Sequence, residues 1–169
     1  MDELKLIDNA RHGDKDAFCG LYDRYKDRLY RYAFYRLRDP SDAEDAVSEC
    51  VLSIWKQIGN LREPKAFPAW IFRILAACCN RIIRSQMARR GLSASSAADR
   101  AADAGADSDA PILLEEALGI LSEDERNLVL LSVVGGLKSN EIAKITGLTA
   151  GSVRSSLSRS LKKMRGYLE

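Results

Sequence analysis

Histidine is nearly absent from this chain: His12 is the one imidazole in 169 residues. The four cysteines, Cys19, Cys50, Cys78 and Cys79, contain no C-x-x-C pair. Cys78 and Cys79 are adjacent, and on a helix neighbouring side chains point about 100° apart, a poor geometry for one metal ion. Also missing are a glycine-rich phosphate loop, a G-x-S-x-G nucleophile turn and an H-E-x-x-H zinc motif. No catalytic residue, no metal and no cofactor are therefore expected, and the cysteines read as buried free thiols. No apolar run approaches the roughly 18 residues of a membrane span. The acidic start, Met1 to Lys5, lacks the apolar stretch of a secretory signal. A cytoplasmic protein that is not an enzyme is the expectation.

Charge is present but unevenly placed. The net charge of +2 comes from 26 basic and 24 acidic residues. Residues 1–90 hold 17 basic against 13 acidic residues, 91–111 one against four, and 112–169 eight against seven. From Pro64 to Ala98 there are Lys65, Arg73, Arg81, Arg84, Arg89 and Arg90 and no acid. After Thr149 come Arg154, Arg159, Lys162, Lys163 and Arg165 against Glu169 alone. Two separate basic segments suit a two-point grip on a polyanion, and they equally suit two solvated helix faces.

Between these segments, residues 91–111 are almost wholly Ala, Ser, Asp and Gly. So little apolar surface cannot offset the entropy of ordering, so the stretch reads as a flexible linker. It divides the chain into a module over 1–90 and another over 112–169, each small enough to be marginal alone.

Both modules read as helical, an all-α chain. Leu4, Ile7 and Arg11 begin a first helix that Gly13 ends. Phe18, Leu21, Tyr22, Tyr25, Leu29, Tyr32 and Ala33 form the stripe of a long second helix, broken at Asp39-Pro40. Ser41-Asp42-Ala43-Glu44 has the pattern of a capping box for the third, which turns Val47, Val51, Ile54, Trp55 and Ile58 inward. A polar loop from Gly59 to Pro68 leads to a fourth helix over about 69–90. In the C-terminal module Leu114, Ala117, Leu118 and Leu121 precede a second capping box, Ser122 to Glu125, and a helix closed by Gly135-Gly136.

The segment from Ser139 to Val153 then follows helix-turn-helix logic: a small Ala143, Gly147 four residues on for the left-handed turn, and Val153 facing back to the core. Val153, Leu157, Leu161, Met164 and Leu168 make one expected stripe. Ser152, Arg154, Ser155, Ser158, Arg159, Lys162 and Lys163 remain for the outside, a division that suits a recognition helix.

With both modules in view, the sequence resembles the extracytoplasmic-function (ECF) type of RNA polymerase sigma factor, of the sigma-70 family. Asp42 to Glu49 followed by Trp55 is similar to the family's polymerase-binding helix. Asn60-Leu61-Arg62 and Phe67 to Ile74 are similar to its promoter-melting segment, and Leu114 to Leu118, Leu128 to Gly136, Glu141 to Ala143 and Gly151 to Ser155 to its upstream-element module. The order of all four matches. Departures are Ser48 where the family often has Gln, Ala46 and Cys50 for larger apolar residues, and the small Ser156 and Ser158 on the last helix.

The resemblance implies two promoter-binding modules and no catalysis. Asp42, Asp45, Ser48 and Glu49 would meet the β′ clamp of core RNA polymerase, and the C-terminal module its β flap. Asn60, Arg62, Lys65, Arg73, Arg81 and Arg84 would take the −10 element, with Asn60 reading an unstacked base. Ser152, Arg154, Ser155, Ser158, Arg159, Lys162 and Lys163 would take the −35 element. Promoter DNA, core polymerase and an anti-sigma factor are the implied partners. Two alternatives stay open on sequence: a stand-alone helix-turn-helix regulator, and a sigma-like decoy that binds a regulator.

Overall fold

Four α-helices among the described residues start at a polar side chain that caps them: Asp14, Asp39, Ser122 and Thr149. A computed structural model describes residues 2–92 and 109–169. They fold into α1 (Glu3–Arg11), α2 (Lys15–Leu37), α3 (Pro40–Gln57), α4 (Phe67–Leu92), α5 (Asp109–Gly119), α6 (Glu123–Val133), α7 (Ser139–Thr146) and α8 (Ala150–Leu168), with no strand among the described residues. Asp14 caps α2 by accepting from the Ala17 N–H, and Ser122 and Glu125 form the expected reciprocal box at α6. At α3 the cap is Asp39, not Ser41: its carboxylate accepts from Asp42 N–H at 3.0 Å and Pro40 takes the first helical position. Proline's fixed φ suits that position, so the helix starts before the box-like Ser41 to Glu44 is reached.

Two other expectations shift. The loop from Gly59 to Pro68 contains two 3-10 turns, Ile58–Asn60 and Pro64–Ala66, pinned by the buried Leu61 and Phe67. The expected linker loses both ends to helix, since α4 runs to Leu92 and α5 begins at Asp109; Pro111 falls in the first turn, where a missing N–H costs nothing. The remainder of that expectation, 93–108, lies outside the described residues.

α1, α2, α3 and α4 share one core. Leu21, Tyr25, Leu29 and Tyr32 of α2 face Ala43, Ala46, Cys50 and Ile54 of α3 and Ile71, Phe72 and Leu75 of α4. Rings meet edge-on, Tyr32 with Phe72 at 5.8 Å and Tyr25 with Phe67 at 5.5 Å between centroids, and Phe18 closes on Trp55 at 5.0 Å. Tyr22, expected in the stripe, is exposed. Cys50, Cys78 and Cys79 are buried free thiols, as expected, while Cys19 is exposed. α4 is long and apolar enough to cross a membrane by length and composition. Phe67, Ile71, Phe72, Leu75, Ala76, Cys78 and Cys79 are buried in the core, whereas Met87 near its C-terminal end is exposed.

α5 to α8 form the second set, around Ala117, Leu121, Leu128, Leu131, Ile142 and Val153. In α8 the inner stripe is Val153, Leu157, Ser160 and Met164, whereas Leu161 and Leu168 are 39% and 51% exposed. Steps of four, three and four keep one face at 100° per residue; Leu161 sits a full residue off it.

The two sets pack together, α6 on α2 and α7 on α4. Arg36 of α2 is buried at this contact. It donates from Nε and Nη2 to Glu123 Oε1, at 3.1 and 2.5 Å, and from Nη1 to the Tyr32 hydroxyl at 3.1 Å. Tyr32 in turn donates to Asn127 Oδ1 at 2.5 Å. Arg126, fixed by the carbonyls of Leu118 and Leu121, pairs with the other oxygen of Glu123 at 3.3 Å. Arg38 follows α2 in the left-handed region, φ 58°, and reaches Glu115 of α5 at 3.6 Å.

Phe72→Ala removes the ring that Tyr32 packs on and should destabilise the chain by about 3–5 kcal/mol, measured by urea unfolding followed by far-UV circular dichroism.

Candidate nucleic-acid interface

The turn between α7 and α8 is fixed by short-range bonds. Gly147 takes φ +80° and its N–H donates to Ala143 O at 2.9 Å; Thr146 Oγ1 donates to Ile142 O at 2.9 Å. A side chain at Gly147 would be strained at that φ. Thr149 then caps α8 by accepting from Ser152 N–H at 3.1 Å. Val153, fully buried, sets the rotation of the new helix. The opposite face therefore presents Ser152, Arg154, Ser155, Ser158, Arg159 and Lys162, all exposed. It is a hydroxyl and guanidinium surface without an acid on it.

Lys163 lies differently from its neighbours. Its ammonium donates to Glu125 Oε2 at 2.9 Å, and Ser160 Oγ donates to the same oxygen at 3.4 Å. The other oxygen of Glu125 accepts from Ser122 N–H at 3.0 Å. One carboxylate thus caps α6 and holds α8 against it. The Ser122 backbone bond first, and Lys163 next, lower its pKa to about 2. The buried Ser160, which sequence periodicity did not mark, is the hydroxyl that lets α8 approach this group.

On the N-terminal set, the 3-10 turns carry Asn60, Arg62 and Lys65 outward, above the buried Leu61 and Phe67. Glu63 fixes the second turn by accepting from Lys65 N–H at 3.3 Å. Along α4, Arg73 and Arg84 are exposed and eleven residues apart, within about 20° of one face. Arg81 turns toward α3 instead: its guanidinium pairs with Glu49 and donates to Cys78 Sγ at 3.3 Å. Two residues with separate expected partners, the polymerase and DNA, are therefore partners of each other here.

Asp45 and Ser48 are exposed on α3, one turn from Glu49. Asp42 is half-buried and accepts from the Gln86 amide of α4 at 2.6 Å. Gln86, itself buried, was missed by the sequence reading, as was Arg36. Each sits where the helical period calls for an apolar side chain, and that displacement was the available signal.

Models of two families match this chain: sigma-70 region 2 over residues 21–89 and sigma-70 region 4 over residues 112–164. The ECF RNA polymerase sigma factor BldN of Streptomyces coelicolor is 27% identical over 98% of this chain, which spans 65% of BldN. The ECF RNA polymerase sigma factor SigM of Mycobacterium tuberculosis is 29% identical over 92% of this chain and 81% of its own length. In fold, the chain is similar to the sigma factor RpoE of Bartonella quintana, solved with the anti-sigma factor NepR. That TM-score is 0.76 at 22% identity, covering 92% of this chain and 98% of RpoE.

The depressed pKa of Glu125 has a pH signature. Its folded value, about 2, lies below the ordinary 4.5, so its contribution is complete above about pH 5 and is lost as pH falls toward 2. Thermal unfolding of wild type and Glu125→Gln should differ most above pH 5, and the gap should close near pH 2.

With region 2 and region 4 both matched, in order and across the α3–α4 and α7–α8 surfaces just described, the chain belongs to the sigma-70 family of RNA polymerase sigma factors, in its ECF group.

Proposed function

We propose that the chain binds core RNA polymerase and directs it to promoters that carry −10 and −35 elements, acting in the cytoplasm and catalysing nothing itself. The observation that carries this is the pair of acid-poor basic surfaces, on α4 with its preceding loop and on α8, one in each family-matched region. Residues 1–90 serve the polymerase and the −10 element, and 112–169 the −35 element and the β flap.

Asp45, Ser48 and Glu49, with Asp42 behind them, form the face for the basic β′ clamp. Complementary charge there favours encounter rate and orientation more than raw affinity. Asn60 supplies an amide with both donor and acceptor to a base displaced from the duplex, and Arg62, Lys65, Arg73 and Arg84 hold phosphates beside it. Arg81 joins them when polymerase takes Glu49 from it. On α8, Arg154 and Arg159 suit the O6 and N7 of guanine, Ser152, Ser155 and Ser158 make shorter contacts, and Lys162 and Lys163 lie nearest the phosphates. An anti-sigma factor is part of the proposal, supported by the complex in which the RpoE relative was solved.

Transcription in vitro with core polymerase on a promoter pool tests the reading; binding to DNA without polymerase-dependent initiation would favour a stand-alone regulator. Asp45→Lys should reduce co-purification with core polymerase at least tenfold while the helical circular dichroism is unchanged.

A base-by-base scan of the −35 element should show Arg154→Ala or Arg159→Ala losing about 1–3 kcal/mol of discrimination at one or two bases. Lys162→Ala should weaken all sequences alike and lower the salt slope by about one unit. Identical profiles for wild type and both arginine variants would remove α8 as the reader.

A further inference from the structure

Residues 1–20 lie ahead of the span that matches sigma-70 region 2, and they carry none of the contacts proposed above. Helix α1 nevertheless runs along the loop between α3 and α4 and touches both of its 3-10 turns. At the start of α1, Glu3 accepts from the Tyr25 hydroxyl at 3.1 Å, and the Tyr25 ring packs edge-on against Phe67 at the end of that loop. At the other end of α1, the Arg11 carbonyl lies 3.6 Å from where a β-carbon on Gly59 would stand, and Gly59 directly precedes Asn60. Leu6, Ile7 and Ala10 are buried in between. The turn that carries Asn60 is therefore held by α3 from one side and by α1 from another.

Arg11 stands one helical turn after the fully buried Ile7, so its side chain leaves α1 from the inward face, and 24% of it is exposed. Its Nη1 donates to Asp8 at 3.4 Å, a long bond to a carboxylate that is itself mostly in water. Its Nε is buried and has no partner among the described residues. A guanidinium has five N–H donors and no acceptor, so one weak local bond leaves most of its capacity unused. Asp14, the next acid along the chain, is occupied as the cap of α2. Around the Asn60 turn, Arg62 and Lys65 are exposed, and Glu63 is engaged by the Lys65 N–H. Arg11 brings a third cation to this loop from a separate helix. Cations from two elements beside one base-reading amide suit a single strand held by its backbone while a base is taken out of the stack.

We propose that Arg11 is a further nucleic-acid contact of the −10 surface: its guanidinium holds a backbone phosphate of the single strand whose displaced base Asn60 receives. Phosphate replaces Asp8 at the Nη1 edge, one anionic oxygen for another, so the exchange leaves no donor newly unpaired. Helix α1 keeps this cation and the reading turn in register, because both ends of the helix are tied to the loop. The identity of the strand rests on the sigma-factor reading; the affinity of Arg11 for single-stranded DNA does not.

The test is binding of the full chain to a fluorescein-labelled single-stranded DNA of mixed sequence, about 12 nucleotides long, followed by anisotropy across a potassium chloride series. Arg11→Gln should weaken binding about fivefold near 0.1 M salt and lower the salt slope by about 0.7, the share of one single-strand phosphate. Arg11→Lys, which keeps the charge, should restore the slope. Asp8→Asn removes the competing carboxylate and should strengthen binding, and it should do so less in the Arg11→Gln background. A merely structural role for Arg11 would not give these opposite signs, and Asp8→Asn, at an exposed position, serves if Arg11→Gln loses its helical circular dichroism. With core polymerase, Arg11→Gln should also reduce open-complex formation on promoters selected by wild type from a pool. A salt slope unchanged by Arg11→Gln overturns the contact, as does an equal gain from Asp8→Asn with and without Arg11. Failure of wild type to bind the strand, alone and with core polymerase, overturns it too. Normal opening by a variant that has lost strand affinity overturns its place on the −10 surface. If the variants shift strand binding as expected but wild type starts no transcription with core polymerase, the phosphate contact stands and the sigma-factor reading is the part that fails.

Discussion

A guanidinium taken out of water must be answered by groups already in place, and Arg36 sets that demand on the rest of the molecule. Its three bonds fix the rotation of α2, the position of the first turn of α6 and, through Tyr32, the side chain of Asn127. Glu123 is well placed to answer because it stands in the first turn of α6, where the helix dipole favours an anion. A buried ion pair of this kind contributes little net stability compared with an apolar replacement, yet losing one member of it is costly. It therefore specifies an arrangement more than it strengthens one. The aromatic core beneath it, Tyr32 on Phe72, ties this specification to the N-terminal helices.

Much of the fold was legible in the sequence because helix formation here is governed by local rules. The stripe of α2, the Ser122–Glu125 box and the Ala143–Gly147–Val153 spacing each depend on residues within a few positions of one another. Where reading failed, two local rules competed or a distant partner decided. At α3, Ser41 to Glu44 had the form of a box, but Asp39-Pro40 offered a better start. On α8, Ser160 is buried because Glu125, 35 residues earlier, receives it, and so Leu161 turns outward. Arg36 and Gln86 break their stripes for the same reason, with partners 87 and 44 residues away. A single sequence shows such a break without naming its cause.

The candidate surfaces were legible to a different degree. Exposed faces of α8 follow from the position of its apolar face, and all seven residues expected outside are exposed. What the sequence left hidden is how charged residues are shared among themselves. Lys163 is bound to Glu125 and Arg81 to Glu49. Each of these cations has an internal competitor for any phosphate it would contact, while Arg154, Arg159 and Lys162 stand on the face without an acid. The C-terminal surface is thus divided into a scaffold-facing edge and an outward face, a division set by the geometry of α6 beneath it.

Arg38 shows a compromise between near and far. Helix α2 ends in a left-handed residue, a conformation that glycine adopts freely and that costs other residues on the order of 1 kcal/mol. The residue found there is nevertheless an arginine, and its side chain extends to Glu115 in the C-terminal half. Local backbone preference and long-range attachment ask for different residues at this one position. A glycine would suit the turn better and would hold the C-terminal helices worse.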